Sequence, residues 1–258
     1  MNISARIINI MVILMKLIRI LKGAGIFGNY GTMGAASVTL IQDDKNILVD
    51  TGHFGNRDLL LKNLAENDLS TSDIDTVFLT HMNWDHCLNV DIFKNAEIII
   101  GKDEYELGTL TGSNDGITEK FKEYLKNRNT TSVSGGEKIS SNSSVIYTPG
   151  HTHGHISLLL KNGNSKIVFS GDAIPNRRAL IRGVPDLIFY NLEKAKESII
   201  KIKNIHPDII FPGHDPPFNE NGYIENDKVT IFMRNEDETD FSVSIGKDIA
   251  SKPVIYNE

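Results

Sequence analysis

Four times in this chain an apolar, strand-like run ends and a residue able to bind a metal follows. Val77-Phe78-Leu79 leads into Thr80-His81-Met82-Asn83-Trp84-Asp85-His86. Downstream come Thr148-Pro149-Gly150-His151, Ser170-Gly171-Asp172-Ala173 and Pro212-Gly213-His214-Asp215, each beside Gly or Pro. Short apolar runs bounded in this way read as buried strands, whose end loops present side chains from one edge of a fold. One loop cannot close a metal site alone, so His81, Asp85 and His86 need partners, and His151, Asp172 and His214 are the candidates. Imidazole with carboxylate suits zinc, and also iron or manganese. The plain alternative, surface or satisfied core histidines, serves any one of these residues better than it serves the ordered set.

The series His81-x-Asn83-x-Asp85-His86, Thr148-Pro149-Gly150-His151, Gly171-Asp172 and Gly213-His214 resembles the metallo-β-lactamase-fold hydrolases, from about residue 16 to about residue 218. The resemblance implies an α/β fold, a four-layer αββα sandwich of two mixed β-sheets flanked by helices. It implies up to two metals: one on His81, position 83 and His151, the other on Asp85, His86 and His214, with Asp172 between them. The family pattern usually has His where this chain has Asn83. An amide oxygen is a neutral, weak donor, so Asn83 is an uncertain metal position and the first site is expected to be the weaker. The family also implies supporting roles for Asp50, in Asp50-Thr51-Gly52, and for His155. His153 is expected to face solvent and His53 to stand at a pocket rim. Cys87 reads as a small buried residue.

The net charge of −6 argues against a general attraction to nucleic acid. The single cysteine excludes an internal disulfide and, with no convincing export signal, suggests a cytoplasmic setting. Ile7 to Met15 is apolar except for Asn9, but is too short to span a bilayer, so no stable membrane insertion is expected. Residues 1–15 are read as an extension ahead of the true start, with a weak membrane-surface anchor as the alternative, and residues 16–258 as one domain.

Two segments are candidates for contact with a small-molecule substrate. Gly23 to Gly34 is a glycine-rich loop carrying Phe27 and Tyr30, either a substrate flap or a plain connection. Ile174 to Tyr190 carries Arg177, Arg178 and Arg182, and arginine suits planar recognition of carboxylate or phosphate; a solvated basic loop is the alternative. Helices are expected over 57–66 and, capped by Asn191, over 191–203. A last strand is expected over 229–233.

A metal with an open position lowers the pKa of bound water to about 7, which supplies hydroxide without a side-chain nucleophile. Asp85 is the expected catalytic carboxylate, orienting the water or shuttling the proton. The expected reaction is hydrolysis of an ester, lactone, thioester or similar bond, with zinc the first choice of metal, as one or two ions. Acyl-homoserine lactonases of the family place a tyrosine soon after the bridging Asp, where this chain has Pro175 and Asn176. The alternatives are a nuclease or phosphodiesterase of the same superfamily, and a low-turnover metal-containing binding or sensor protein.

Overall fold

Several strands of this chain carry apolar residues at consecutive positions, as strands do when both of their faces are covered. In a computed structural model, which describes residues 15–28, 31–108, 116–225 and 254–255, that reading holds. The first half runs β1 (Lys16–Leu21), β2 (Ala24–Gly28), β3 (Gly31–Ala35), β4 (Val38–Gln42), β5 (Asn46–Val49), α1 (Arg57–Ala65), β6 (Thr76–Phe78), α2 (Trp84–Cys87), β7 (Glu97–Gly101), α3 (Lys102–Leu107), α4 (Gly116–Lys126) and β8 (Thr130–Val133). The second half runs β9 (Ser143–Tyr147), β10 (Ile156–Asn162), β11 (Ser165–Gly171), α5 (Arg177–Arg182), β12 (Leu187–Ile188), α6 (Leu192–Ile205), β13 (Ile209–Pro212), β14 (Phe218–Asn219), β15 (Gly222–Tyr223) and β16 (Val254–Ile255).

Two mixed six-stranded sheets result, in the orders β1-β4-β5-β6-β7-β8 and β15-β14-β13-β11-β10-β9. Side-chain alternation sends neighbouring residues into different layers. Phe78, Ile99, Ile47 and Val49 meet Leu158, Ile167 and Phe169 between the sheets. Val77, Ile98 and Leu48 face the other way and pack with Leu60 and Leu64 of α1. Val168 and Ile210 likewise pack on Ile199 and Ile202 of α6. The order is therefore helix, sheet, sheet, helix, the expected four-layer αββα sandwich. Asn191 caps α6 by accepting the Lys194 N–H.

Two segments differ from expectation. Within the expected loop over 23–34, Ala24–Gly28 and Gly31–Ala35 are strands: β2 and β3 pair antiparallel, with Ile26 opposite Met33. Residues 174–190 hold the short helix α5, bounded by an Asn176 N-cap and by Gly183 in the left-handed region, then β12. The expected strand over 229–233 and residues 1–14 lie outside the described residues. Among the described residues, no helix is long and apolar enough to cross a membrane.

Candidate metal centre

Strand direction brings the four motifs together. β6 lies parallel to β5 and β7, and β11 parallel to β13. β9 and β11 are both antiparallel to β10, so they run the same way. The motifs after β6, β9, β11 and β13 therefore leave from carboxyl ends of strands, where open α/β sheets form their sites. Backbone hydrogen bonds tie these loops to one another: Gly213 N donates to Gly171 O, and His214 N to Pro175 O.

Two clusters of three residues result. Ligand-type atoms of His81, His151 and Asp172 lie within 4.8 Å of one another, and so do those of Asp85, His86 and His214. Asp172 stands between the clusters. Its Oδ2 lies 3.5 Å from His151 Nε2 and 3.2 Å from His214 Nε2, and its Oδ1 lies 3.5 Å from His86 Nε2. Asp85 Oδ2 is 3.5 Å from His214 Nε2. The close approach explains two glycines: a Cβ on Gly34 would fall 2.4 Å from Asp85 Oδ2, and one on Gly213 would fall 2.1 Å from Asp172 Oδ1.

The hydrogen bonds behind the rings assign their tautomers. His86 Nδ1 donates to Asp50 Oδ2 at 2.8 Å, His151 Nδ1 to Leu187 O at 2.8 Å, and His214 Nδ1 to Ala35 O at 3.1 Å. His81 Nδ1 donates to Thr80 Oγ1 at 3.0 Å, and that hydroxyl in turn donates to Asp50. With each Nδ1 donating outward, each Nε2 faces the centre, where a metal would displace the proton that the carboxylates favour on His86 and His214. Metal-binding histidines are commonly fixed in this way. His81 Nε2 and Asp172 Oδ1 are buried without a hydrogen-bond partner, a costly state that a cation would relieve. The donors present therefore fit a divalent metal.

The carboxylates polarise one side more than the other. Burial pushes the His86 imidazole down, but Asp172, Asp85 and Asp50 outweigh it and hold its pKa at about 10. His214 is likewise lowered by burial and raised by Asp172 and Asp85, to about 9. His81 falls well below its ordinary value through burial and its neighbours His86 and His151, and burial also lowers His151. Burial pushes Asp172 up, yet the imidazoles of His214 and His86 hold it well below the carboxylate range.

Asn83 does not complete a cluster as oriented. Its Nδ2 donates to His151 Nε2 at 3.1 Å, using the lone pair that faces the centre. Asp50 adopts a positive φ of 59° after β5 and accepts the Thr80 N–H at 2.8 Å, so it holds the start of the metal loop as well as His86. His155 Nε2 accepts the Asp172 N–H at 3.0 Å, and its Nδ1 donates to Thr148 Oγ1. Both ring nitrogens are thus engaged outside the clusters. His153 is buried rather than solvent-facing, because Tyr190 lies tilted over its ring at 4.1 Å. His53 stands edge-on to Trp84. Cys87 is buried at the end of α2.

A cavity of about 540 Å³ opens on the centre. Asp85, Asp172, His151 and His214 line it, with Asn83, Trp84, Met33 and Phe189. Of the three arginines only Arg178 reaches its wall; Arg182 turns to Asp186 and the Val184 carbonyl. The Phe27 side chain and Tyr30 lie outside the described residues. Sequence reasoning passed over Glu104, fully buried on α3, whose carboxylate accepts the N–H groups of Met82 and Gly154. It joins the loop that carries His81 to the loop that carries His151. It also passed over the Leu187 carbonyl and the cavity-lining pair Tyr223 and Asp215, whose hydroxyl and carboxylate are 2.8 Å apart.

The fold and the paired clusters define a metal-dependent hydrolase. Residues 31–214 match the family model of the metallo-beta-lactamase superfamily, and the chain belongs to that superfamily. A probable metallo-hydrolase of Methanocaldococcus jannaschii is 31% identical over 169 residues, 66% of this chain and 70% of the relative. A solved putative metallo-beta-lactamase of Thermotoga maritima superposes with a TM-score of 0.64 at 24% identity, covering 80% of this chain and 99% of its own. A Bacillus thuringiensis AiiA variant, solved with N-decanoyl-L-homoserine at its active site, superposes at 0.62 with 22% identity, covering 78% and 92%.

Proposed function

We propose that the chain hydrolyses small-molecule carboxylic esters, lactones or thioesters, with zinc held by two unequal clusters. His81, His151 and Asp172 would hold one ion, Asp85, His86 and His214 the other, and Asp172 would serve both. The observation that carries this reading is the set of four imidazoles with Nδ1 pinned and Nε2 turned to one point beside two carboxylates and an open cavity. With Asp172 shared, the first ion would have three protein donors and the second four, and a three-donor set leaves a position open, as catalytic zinc sites do. Bound there, zinc supplies Lewis acidity and lowers the pKa of water towards about 7. Asp85, 5% exposed at the cavity wall, would orient a water and take up its proton. Asp50 and Thr80 hold His86 and His81 in register. Glu104 holds the Met82 and Gly154 backbones, and with them the loops on either side of the first cluster.

The test is elemental analysis of protein purified without added metal or chelator, followed by a panel of esters, lactones, thioesters and bis-phosphoesters. Zinc near one equivalent, rising towards two on addition, with turnover confined to carboxylic substrates, is expected. Selective turnover of bis-phosphoesters, or bound metal without any turnover, would overturn it.

A further inference from the structure

Of the charged side chains that line the cavity, Arg178 stands apart. Asp85 and Asp172 belong to the metal clusters. Asp215 accepts the Arg177 N–H at 3.0 Å and the Tyr223 hydroxyl at 2.8 Å. Asp186, 3% exposed, accepts Arg182 Nη2 on Oδ1 at 2.8 Å and the Asn176 amide on Oδ2. Arg178 Nη2 makes a second, redundant contact with that same Oδ1 at 3.0 Å. Two guanidiniums share this one carboxylate. The more exposed of the two, Arg178 at 49% against 21% for Arg182, is the one on the cavity wall. A guanidinium has five N–H donors in a planar fork, and among the described residues Arg178 uses one. The rest of the wall sets apolar Met33, Trp84, Pro175, Leu187 and Phe189 beside polar Asn83, Asn176 and Tyr223.

We propose that Arg178 is a specificity-determining residue that binds a carboxylate on the substrate, away from the bond being cleaved. The substrate class is then a small acyl ester or thioester with an apolar body and a terminal carboxylate. The body lies along Met33, Trp84 and Phe189, and the reacting carbonyl lies at the metal donors. The planar fork matches a carboxylate in a way that a lysine would not. The inference rests on the hydrolytic reading above. Asp186 keeps Arg182 and Asn176 when Arg178 is replaced, so the buried carboxylate stays satisfied.

The experiment compares 4-nitrophenyl hexanoate with the mono-4-nitrophenyl ester of hexanedioate on the zinc-loaded protein. The two differ only in a terminal methyl or carboxylate. Wild type should favour the acidic ester, and Arg178→Gln should raise its KM by roughly 10-fold or more, the scale of a lost charge-assisted hydrogen bond, with kcat little changed. The neutral ester should be almost indifferent, and Arg178→Lys should recover part of the loss. No preference in wild type, or an equal effect of Arg178→Gln on both esters, overturns the inference. Calorimetric titration of hexanedioate against hexanoate separates this outcome from failure of the hydrolytic reading. Without turnover of either ester, tighter dianion binding that Arg178→Gln abolishes sustains the Arg178 site. Equal binding of the two acids, or a preference that survives the substitution, sinks it.

Discussion

The two halves of the candidate metal centre use the same residue types but are held differently. His81 and His151 have a hydroxyl and a backbone carbonyl behind them, and the one carboxylate in their cluster is the shared Asp172. His86 and His214 have Asp85 as well, and His86 leans on Asp50. The consequence is visible in the proton affinities: His86 and His214 are raised to about 10 and about 9, whereas His81 and His151 are lowered. A field that favours a proton also favours a metal cation. Carboxylate placement therefore distinguishes the halves more sharply than the number of imidazoles. The Asn83 change falls on the half that already has less charge.

The strongest way to break this comparison is to remove the residue that serves both halves. Asp172→Asn keeps its shape and the backbone N–H to His155. The first cluster is left with two charge-neutral histidines, while the second keeps Asp85, His86 and His214. Bound zinc should fall to at most one equivalent by elemental analysis. Turnover should fall by more than the roughly 100-fold that marks loss of a supporting residue. Two retained equivalents would mean that Asp172 does not bridge.

Asp50→Asn sharpens the comparison from behind. The carboxylate accepts from His86 Nδ1 and from Thr80, so its loss weakens His86 directly and His81 through the hydroxyl. Zinc affinity should drop by about 10-fold to 100-fold, and more at the Asp85 cluster than at the His81 cluster. Competition with a chromophoric chelator resolves the two steps. An equal loss in both would contradict the asymmetry.

How far these halves could be read from sequence depends on distance along the chain. The clustering of His81, Asp85, His86, His151, Asp172 and His214 was legible because their motifs each follow a short apolar strand beside a turn, a local signal. The four layers were legible through resemblance, and Val77 beside Phe78 shows why, since adjacent residues serve different cores. The β2–β3 pair was hidden because glycine has low strand propensity, although Ile26 and Met33 stand opposite each other in it. Helix α5 has only six residues, yet Asn176 and Gly183 bracket it as a cap and a stop. Glu104 and the Leu187 carbonyl gave no signal. Their partners lie 22 to 50 residues away, and they act on backbone groups or through one.

The smallest expected effect comes from restoring the missing donor. Asn83 now donates Nδ2–H to His151 Nε2, so a metal at the first cluster competes with that hydrogen bond unless the amide turns. Asn83→His replaces a donor of hydrogen bonds with a donor of lone pairs at the same loop position. The first cluster should then bind its ion more tightly, by roughly the 10-fold scale on which single groups around a metal act, and the second cluster should be unaffected. Turnover at saturating zinc should change little, because both ions are already present there. Titration of zinc into metal-free protein shows this directly, as a steeper second equivalent in the variant. Unchanged stoichiometry and affinity would mean that the Asn83 amide oxygen already turns inward when metal arrives. The weakness of the first half would then come from its single shared carboxylate alone.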